Sequence, residues 1–384
     1  MSARWGGALL VGLALAAPFG ASLQLLFVAA SIVWLATLRR QTSARWVLVV
    51  ATAIRLPFLA ADYYTDDLYR YVWEGRIQHA GYSPYAHAPD DPELAPLRGP
   101  DHDRINHPSY PTIYPPLSQA LFWAATGAGL GERGLRAVIL LLDVAVVGVL
   151  LGWLTSTHRP PGWAIMYAWC PLAAVSAGTG HVDTLMLLCL AGAGWAWEKG
   201  RARRAAELLA AAILAKTMAV LLLPWLLLRR PWLALLAAAI VAAGYLPYWG
   251  PGLFDTLFAF GAEFAFNGSL YRVASWVFPE AARALLAAVL VLWTTVVAFS
   301  QPRYAVACVL AFAGLLLCSP TVHFWYLTWF LVALPAVGPR RWTLPLLCWA
   351  ATSVFASETY RAHYEDGAAF TERWALTVFE YALP

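Results

Sequence analysis

Charge is what this sequence has least of. Asp, Glu, Lys and Arg together make up 12% of its 384 residues, against roughly 25% in an average soluble domain. A chain of this length with so few polar groups cannot cover a water-soluble globule. Cysteine is scarce as well: Cys170, Cys189, Cys308, Cys318 and Cys348, each inside an apolar run. None stands at a metal-ligand spacing and none falls in the long polar stretches. They read as small core hydrophobes, with no disulfide framework implied. Soluble catalytic signatures are missing too. There is no phosphate-cradling glycine loop, no His-Glu-x-x-His and no Gly-x-Ser-x-Gly. These absences exclude disorder, a nucleic-acid-binding domain and a soluble dinucleotide-binding enzyme.

What is present is apolar, at 61% of residues, and aromatic, at 14%. The apolar residues fall in runs about as long as a bilayer is thick, which reads as an all-α polytopic membrane protein in a single domain, 1–384. The expected spans are 5–19, 21–38, 45–61, 137–154, 161–177, 182–198, 203–215, 218–229, 232–249, 283–300, 303–318, 323–338 and 342–357. Arg4 followed by an apolar stretch to Ala17-Pro18 resembles a signal peptide, but further spans follow at once and a retained first helix is expected. Arg39, Arg40, Arg45, the run Lys199 to Arg204, Arg229, Arg230, Arg303, Arg340 and Arg341 mark the cytoplasmic side. They sit in short breaks and not in a patch, so the net charge of +4 points to no nucleic-acid partner. This orientation requires 203–229 to cross as two short helices turning near Lys216-Thr217, and 111–130 to lie along the outer surface. The alternation then closes with about thirteen helices, an added N-terminal hairpin (1–44) and a C-terminal tail outside. The outer face receives the loop 62–136, the turn 178–183, the loop 245–282, the turn 319–323 and the tail 358–384.

Chemistry concentrates in those outer segments. Tyr63 to Arg76 opens with Asp66-Asp67 after an apolar run. Thr65 or Asp66 suits an N-cap, and both acids suit a first helical turn. The helix that follows, with Leu68, Tyr71, Val72 and Trp73 on one face and Arg70, Glu74 and Gln78 on another, is expected to lie flat on the membrane. A carboxylate at that height can accept a proton from a hydroxyl while a second substrate stays in lipid. Tyr, His and Asn in Gly81 to Tyr85 and Asn106 to Leu117 are residue types that stack on and bond to sugars. At the next outer turn, His181 and Asp183 break two apolar runs, a placement that suits function as well as helix capping. Lys216 interrupts another run and requires an anion, either a lipid phosphate or a carboxylate from another loop. Arg55 invites the same two readings. Asp143 reads as an interhelical hydrogen-bonding group. His323 and Tyr326 lie three apart at the start of a late span, and Arg272 offers another outward cation. Tyr360, Arg361 and His363 in the tail are individually weak signals.

In order along the chain, these motifs resemble the GT-C glycosyltransferases that use polyprenyl-phosphate sugars. The polyprenol-phosphate-mannose-dependent mannosyltransferases are the nearest group: bacterial lipid-glycan enzymes and the catalytic subunit of the first GPI mannosyltransferase. Members have an acid after an early span, an aromatic four positions on, a Gly-x-Ser/Asn-Pro-Tyr turn about fourteen on, and a Tyr-x-Pro-Leu stretch. Here Asp67, Tyr71, Gly81-Tyr82-Ser83-Pro84-Tyr85 and Tyr114-Pro115-Pro116-Leu117 match. The Gly180 to Asp183 turn, the stretch with Lys216, and Ser319-Pro320 to His323-Phe324-Trp325-Tyr326 are similar to later elements. The acids are adjacent here where some members have Asp-x-Asp, so either Asp66 or Asp67 can serve as base; spacing favours Asp67.

The resemblance implies an inverting transfer of a hexose, mannose first, from a polyprenyl-phosphate donor to a lipid, glycan or protein acceptor. The expected location is the outer face of a multi-pass protein of the bacterial plasma membrane. Asp67, with Asp66, is expected to be catalytic. Arg55, Tyr71, Tyr85, His107, Tyr114, His181, Asp183, Lys216, Arg272, His323 and Tyr326 are expected to bind substrate, with Lys216, Arg272 and Arg55 as phosphate partners. No cofactor is demanded and no metal ligands are assigned, although a divalent metal is compatible. A transporter would be expected to show repeat symmetry and midplane charges, and a non-catalytic subunit would have dispensable loop acids.

Overall fold

The computed structural model describes residues 2–16, 23–38, 40–60, 66–364, 367 and 369–382. Ala17-Pro18, Arg39, Tyr63, Tyr64 and Thr65 lie outside the described residues. Among those described the architecture is all-helical, with two isolated bridges, Phe266 to Thr321 and Asn267 to Thr321, in place of strands.

An N-terminal pair, α1 (Ala3–Ala16) and α2 (Leu23–Thr37), packs on α3 (Ala44–Ala53). The outer loop supplies α4 (Asp67–His79) and α5 (Pro116–Gly127), and α6 (Glu132–Ser156) follows. Short pieces α7 (Ile165–Ala168) and α8 (Pro171–Gly178) lead to α9 (Asp183–Glu198) and α10 (Ala202–Ala215). Next come α11 (Leu223–Arg229), α12 (Pro231–Tyr245), α13 (Asp255–Glu263), α14 (Ser269–Val277), α15 (Ala282–Ser300) and α16 (Tyr304–Cys318). The last third closes with α17 (Thr328–Leu331), α18 (Leu334–Val337), α19 (Thr343–Thr352), α20 (Val354–Tyr364) and α21 (Trp374–Ala382).

Helical segments stand in every expected span, but prolines and turns divide several of them. The 161–177 stretch breaks before Pro171, and 323–338 is a run of short pieces with Pro335 inside, because proline removes a backbone donor and crowds the preceding turn. Among the described residues three helical stretches are long and apolar enough to cross a membrane, Glu132–Ser156, Pro231–Tyr248 and Ala282–Ser300, fewer than the thirteen spans expected. The turn expected at Lys216-Thr217 is present. There α10 ends, Lys216 is extended (φ −151, ψ 120), and a 3-10 stretch leads into α11.

Two elements differ from expectation in ways that shape the site. The helix α4 does not lie with a solvated polar face, for Arg70 and Glu74 are as buried as Leu68 and Trp73. Glu74 instead accepts from Arg70 Nε (2.8 Å), Thr112 Oγ1 (2.8 Å) and Gln119 Nε2 (2.6 Å). A buried carboxylate must be satisfied in this way. The expected last span, 342–357, breaks at Ser353, and α20 carries on to Tyr364. That extension brings part of the tail against the outer turns.

Candidate active site

The site grows from the start of α4. Asp66 is the N-cap residue and makes no side-chain capping bond; Asp67 sits in the first turn. Free backbone N–H groups and the helix dipole favour negative charge at that end. A glycine sets the depth of α4 against α5, since a Cβ at Gly75 would overlap the Phe122 carbonyl. Tyr71 then stacks on Phe122, with centroids 4.4 Å apart.

Three donors converge on Asp67. Asn106 Nδ2 donates to Asp67 Oδ1 (2.6 Å) and also to Asp66 Oδ1 (2.9 Å). The Tyr71 hydroxyl donates to Asp67 Oδ2 (3.2 Å), and His181 Nδ1 lies 3.1 Å from the same oxygen. Burial alone would push the Asp67 carboxyl up. The hydrogen bond and charge of His181, the Asn106 amide and the Lys216 ammonium outweigh it and hold the carboxyl well below the usual range. Asp66 is raised instead, by burial and by the adjacent Asp67 charge, against hydrogen bonds from Tyr364 and Asn106. The two acids thus differ in role, Asp67 ionised and Asp66 more readily protonated.

The loop carrying Asn106 is held by Arg70. Its guanidinium donates to the carbonyls of Asn106 (3.1 Å), His107 (2.9 Å) and Tyr110 (2.6 Å). His181 comes from the turn after α8, where Gly180 adopts φ +88 and backs onto Leu68; a Cβ there would come within 2.7 Å of that side chain. The His181 ring lies flat on Trp325 (3.7 Å, 13°), and His323 stacks on the same indole (4.6 Å, 3°).

Lys216 forms the second pole. Its Nζ lies 3.2 Å from Asp183 Oδ2, and Asp183 Oδ1 accepts from Trp329 Nε1 (2.6 Å). The rings of Tyr114, Tyr326 and Trp329 surround the ammonium at 5.4–5.9 Å, within cation–π range. Ser118 Oγ donates to the last carbonyl of α10 (2.8 Å), which ties the helix end bearing Lys216 to α5.

Both poles open into one cavity of about 570 Å³. Its polar end is lined by Asp66, Asp67, Asn106 and Lys216. Its apolar wall includes Met218, Leu257, Phe260, Phe264 and Leu315.

Of the residues anticipated from sequence, Asp66, Asp67, His107, Tyr114, Lys216, His323 and Tyr326 line this cavity. Tyr71, His181 and Asp183 stand behind them, bonded to Asp67 or Lys216. Three placements are corrected. Arg55 is buried away from the cavity, where it pairs with Asp143 and donates to the carbonyls of Ala51 and Ala168 (2.8 Å each). Asp143 also accepts from Tyr167, so it is the interhelical group expected of it. Tyr85 donates to the Tyr114 carbonyl (2.7 Å) and packs with Tyr245 and Tyr248, supporting the wall without reaching the cavity. Arg272 is engaged by Glu372, whose side chain lines the cavity. Asn106 opens a stretch that reads as sugar-compatible, with no role on the acids assigned from sequence, and sequence reasoning did not single out Trp325, Tyr364 or Phe264. Helical spacing from Tyr360 to His363 and Tyr364 was the available signal for the tail, since all three line one side of the cavity.

Among the described residues one group, His87, Asp91 and Glu93, brings donor atoms within 4.8 Å of one another. It lies outside the cavity lining. The Asn106 amide nitrogen bridges Asp66 Oδ1 and Asp67 Oδ1.

No curated protein and no solved structure matches the chain. Residues 4–230 match a family model, MptA/B, described as alpha-(1->6)-mannopyranosyltransferase, N-terminal domain. The matched stretch contains Asp67, Asn106, His181 and Lys216 and covers more than half of the 384 residues. The chain belongs to the MptA/B family of alpha-(1->6)-mannopyranosyltransferases, a GT-C-like group of glycosyltransferases whose reaction is mannosyl transfer.

Proposed function

We propose that this chain moves mannose from a polyprenyl-phosphate carrier to an acceptor hydroxyl, with inversion, at the extracytoplasmic face of a bacterial plasma membrane that it crosses many times. The observation that carries the reading is the convergence of Asp67 and Lys216 on one cavity with an apolar wall. A lipid-linked donor needs those three features: a base for the acceptor, a cation for the phosphate and apolar surface for the chain. Sorting Arg and Lys to the opposite side of the spans from this cavity supports the outer placement.

In this mechanism Lys216, oriented by Asp183 and its ring of aromatics, offsets the charge that grows on the departing phosphate. The leaving group is a phosphate monoester anion and needs charge stabilisation more than a general acid. The acceptor oxygen attacks the anomeric carbon from the face opposite the phosphate, and its proton passes to Asp67. The depressed Asp67 carboxyl is a weak base. It suffices because the attacking hydroxyl becomes strongly acidic as the new C–O bond forms. Asp66, beside it, is raised by burial and by the Asp67 charge, and of the two Asp67 alone is bonded to His181 and Tyr71. No step requires a metal ion.

The test replaces each acid in turn. Asp67→Asn and Asp67→Ala should abolish transfer from radiolabelled polyprenyl-phosphate mannose while leaving the protein folded. Asp66→Asn should retain measurable turnover. Full activity in both Asp67 variants would overturn the assignment.

A further inference from the structure

A carboxylate offers about four lone-pair positions, two on each oxygen. On Asp67, Oδ2 takes two partners, the Tyr71 hydroxyl and His181 Nδ1, and Oδ1 takes Asn106 Nδ2. One position remains, on Oδ1, and Asp67 lines the cavity. Asp67 can present that position steadily only if its carboxylate plane is fixed, which requires the donors on Oδ2 to be fixed as well.

Tyr71 is held by its stack on Phe122. His181 is held by an unusual arrangement. Two rings lying parallel to Trp325 at 3.7 and 4.6 Å cannot share one face of the indole, so Trp325 is sandwiched between His181 and His323. His323 is in turn hydrogen-bonded through Nδ1 to the Tyr360 hydroxyl of α20. Gly180, with φ +88, delivers His181 to this stack from the turn after α8.

We propose that His181 is a positioning residue for mannosyl transfer: clamped on Trp325, it fixes the Asp67 carboxylate so that Oδ1 meets the acceptor hydroxyl and takes its proton. The inference rests on Asp67 as the base. The proton moves from the acceptor oxygen to Asp67 Oδ1 as the C–O bond forms and the bond to the phosphate oxygen breaks. His181 gains and loses nothing in that step.

The groups facing Asp67 determine how pH should act. Asp66 lies beside it on α4, Lys216 reaches it from the end of α10, and His181 from the 178–183 turn. His323 and the Tyr360 and Tyr364 hydroxyls face it from the late turn and α20. Tyr71 and Tyr114 are neutral phenols that favour no ionised carboxylate by charge. Removing His181 takes away a donor that favours ionised Asp67, so the Asp67 pKa moves up, but from so far below the usual carboxylate range that the carboxylate stays ionised where transfer is assayed.

The experiment measures kcat and KM for donor with radiolabelled polyprenyl-phosphate mannose and a membrane lipid extract. Compared are the wild type, His181→Ala, His181→Asn, Trp325→Leu, Trp325→Phe and Asp67→Asn. His181→Ala should lower kcat roughly tenfold to a hundredfold with donor KM unchanged. His181→Asn, which keeps an N–H donor, should recover part of kcat. Trp325→Leu should resemble His181→Ala, and Trp325→Phe, which keeps a flat ring between the two histidines, should lose less than Trp325→Leu. An unchanged kcat in His181→Ala, a His181→Asn variant no better than His181→Ala, or a loss confined to KM would overturn the proposal. Asp67→Asn separates the two claims. If it is active, Asp67 is not the base and the proposal falls with it. If it is inactive while His181→Ala behaves as wild type, only the role of His181 is refuted.

Discussion

Removing Lys216 separates a catalytic cation from a structural one, because its partner is almost completely buried. Asp183 is 2% exposed, accepts from the Trp329 indole and pairs with Lys216 Nζ at 3.2 Å. Among the described residues no other cation lies within ion-pair distance of it. Lys216→Met therefore leaves a buried carboxylate without its counter-charge, a loss of about 3–5 kcal/mol. It also removes the cation assigned to the departing phosphate, which costs roughly a hundredfold to a thousandfold in kcat. The double variant Lys216→Met with Asp183→Asn removes both charges, and the asparagine can still accept from Trp329. Thermal unfolding in detergent should then return close to wild type, while transfer from the labelled donor stays low. Loss of activity and loss of stability are thereby uncoupled. Recovery of transfer together with stability in the double variant would refute the reasoning, for it would mean that Lys216 serves only to hold α10 against α9.

Arg55 should behave in the opposite manner. Arg55→Met leaves Asp143 buried and unpaired and should cost about 3–5 kcal/mol in unfolding, yet the donor KM of the folded fraction should not change, since the pair lies outside the cavity. Glu74→Ala strands the buried Arg70 guanidinium and removes the acceptor shared by Thr112 and Gln119. A similar loss is expected, along with faster proteolysis of the loop at 98–110. Burial pushes the tail residue Glu380 up to about 8, opposed by donors from Asn267 and Trp349. Its folded value lies above the ordinary 4.5, so the docked tail favours the protonated form. Tail stability is then complete below about pH 4.5 and falls as pH rises to about 8. Hydrogen exchange over 374–382 should show that slope, and Glu380→Leu should flatten it.

The parts of the site that sequence revealed are those where a polar residue breaks an apolar run. Asp66 and Asp67 after an early span, the His181 and Asp183 turn, and Lys216 within a long apolar stretch all carry that signal, and the structure brings them together. Lys216 even finds the carboxylate partner that its cost in a membrane requires. Partner choice over long separations was not legible. Arg55 and Asp143 are 88 residues apart, and although Asp143 reads as an interhelical bonding group, nothing in the sequence names Arg55 as its partner. Nothing in the sequence sets the Trp325 indole apart, because belts of Trp and Tyr occur at both membrane faces. Its two histidine neighbours appear only when the 178–183 and 319–326 turns are brought together. The amphipathic period of α4 was real, but periodicity does not say whether a polar face meets water or a buried network. Here Thr112 and Gln119 supply the network. Hydropathy also overlooked the proline breaks that divide spans such as 323–338 into short pieces.

The central claim is that mannose leaves a polyprenyl-phosphate carrier in this cavity. The most direct measurement incubates the purified protein with radiolabelled polyprenyl-phosphate mannose and a membrane lipid extract, with a nucleotide-linked mannose in parallel. The account predicts that label leaves the polyprenyl carrier and appears in an acceptor with inverted anomeric configuration, and that the nucleotide-linked sugar is not used. Label that stays on the polyprenyl carrier, or that transfers from the nucleotide donor instead, would contradict it.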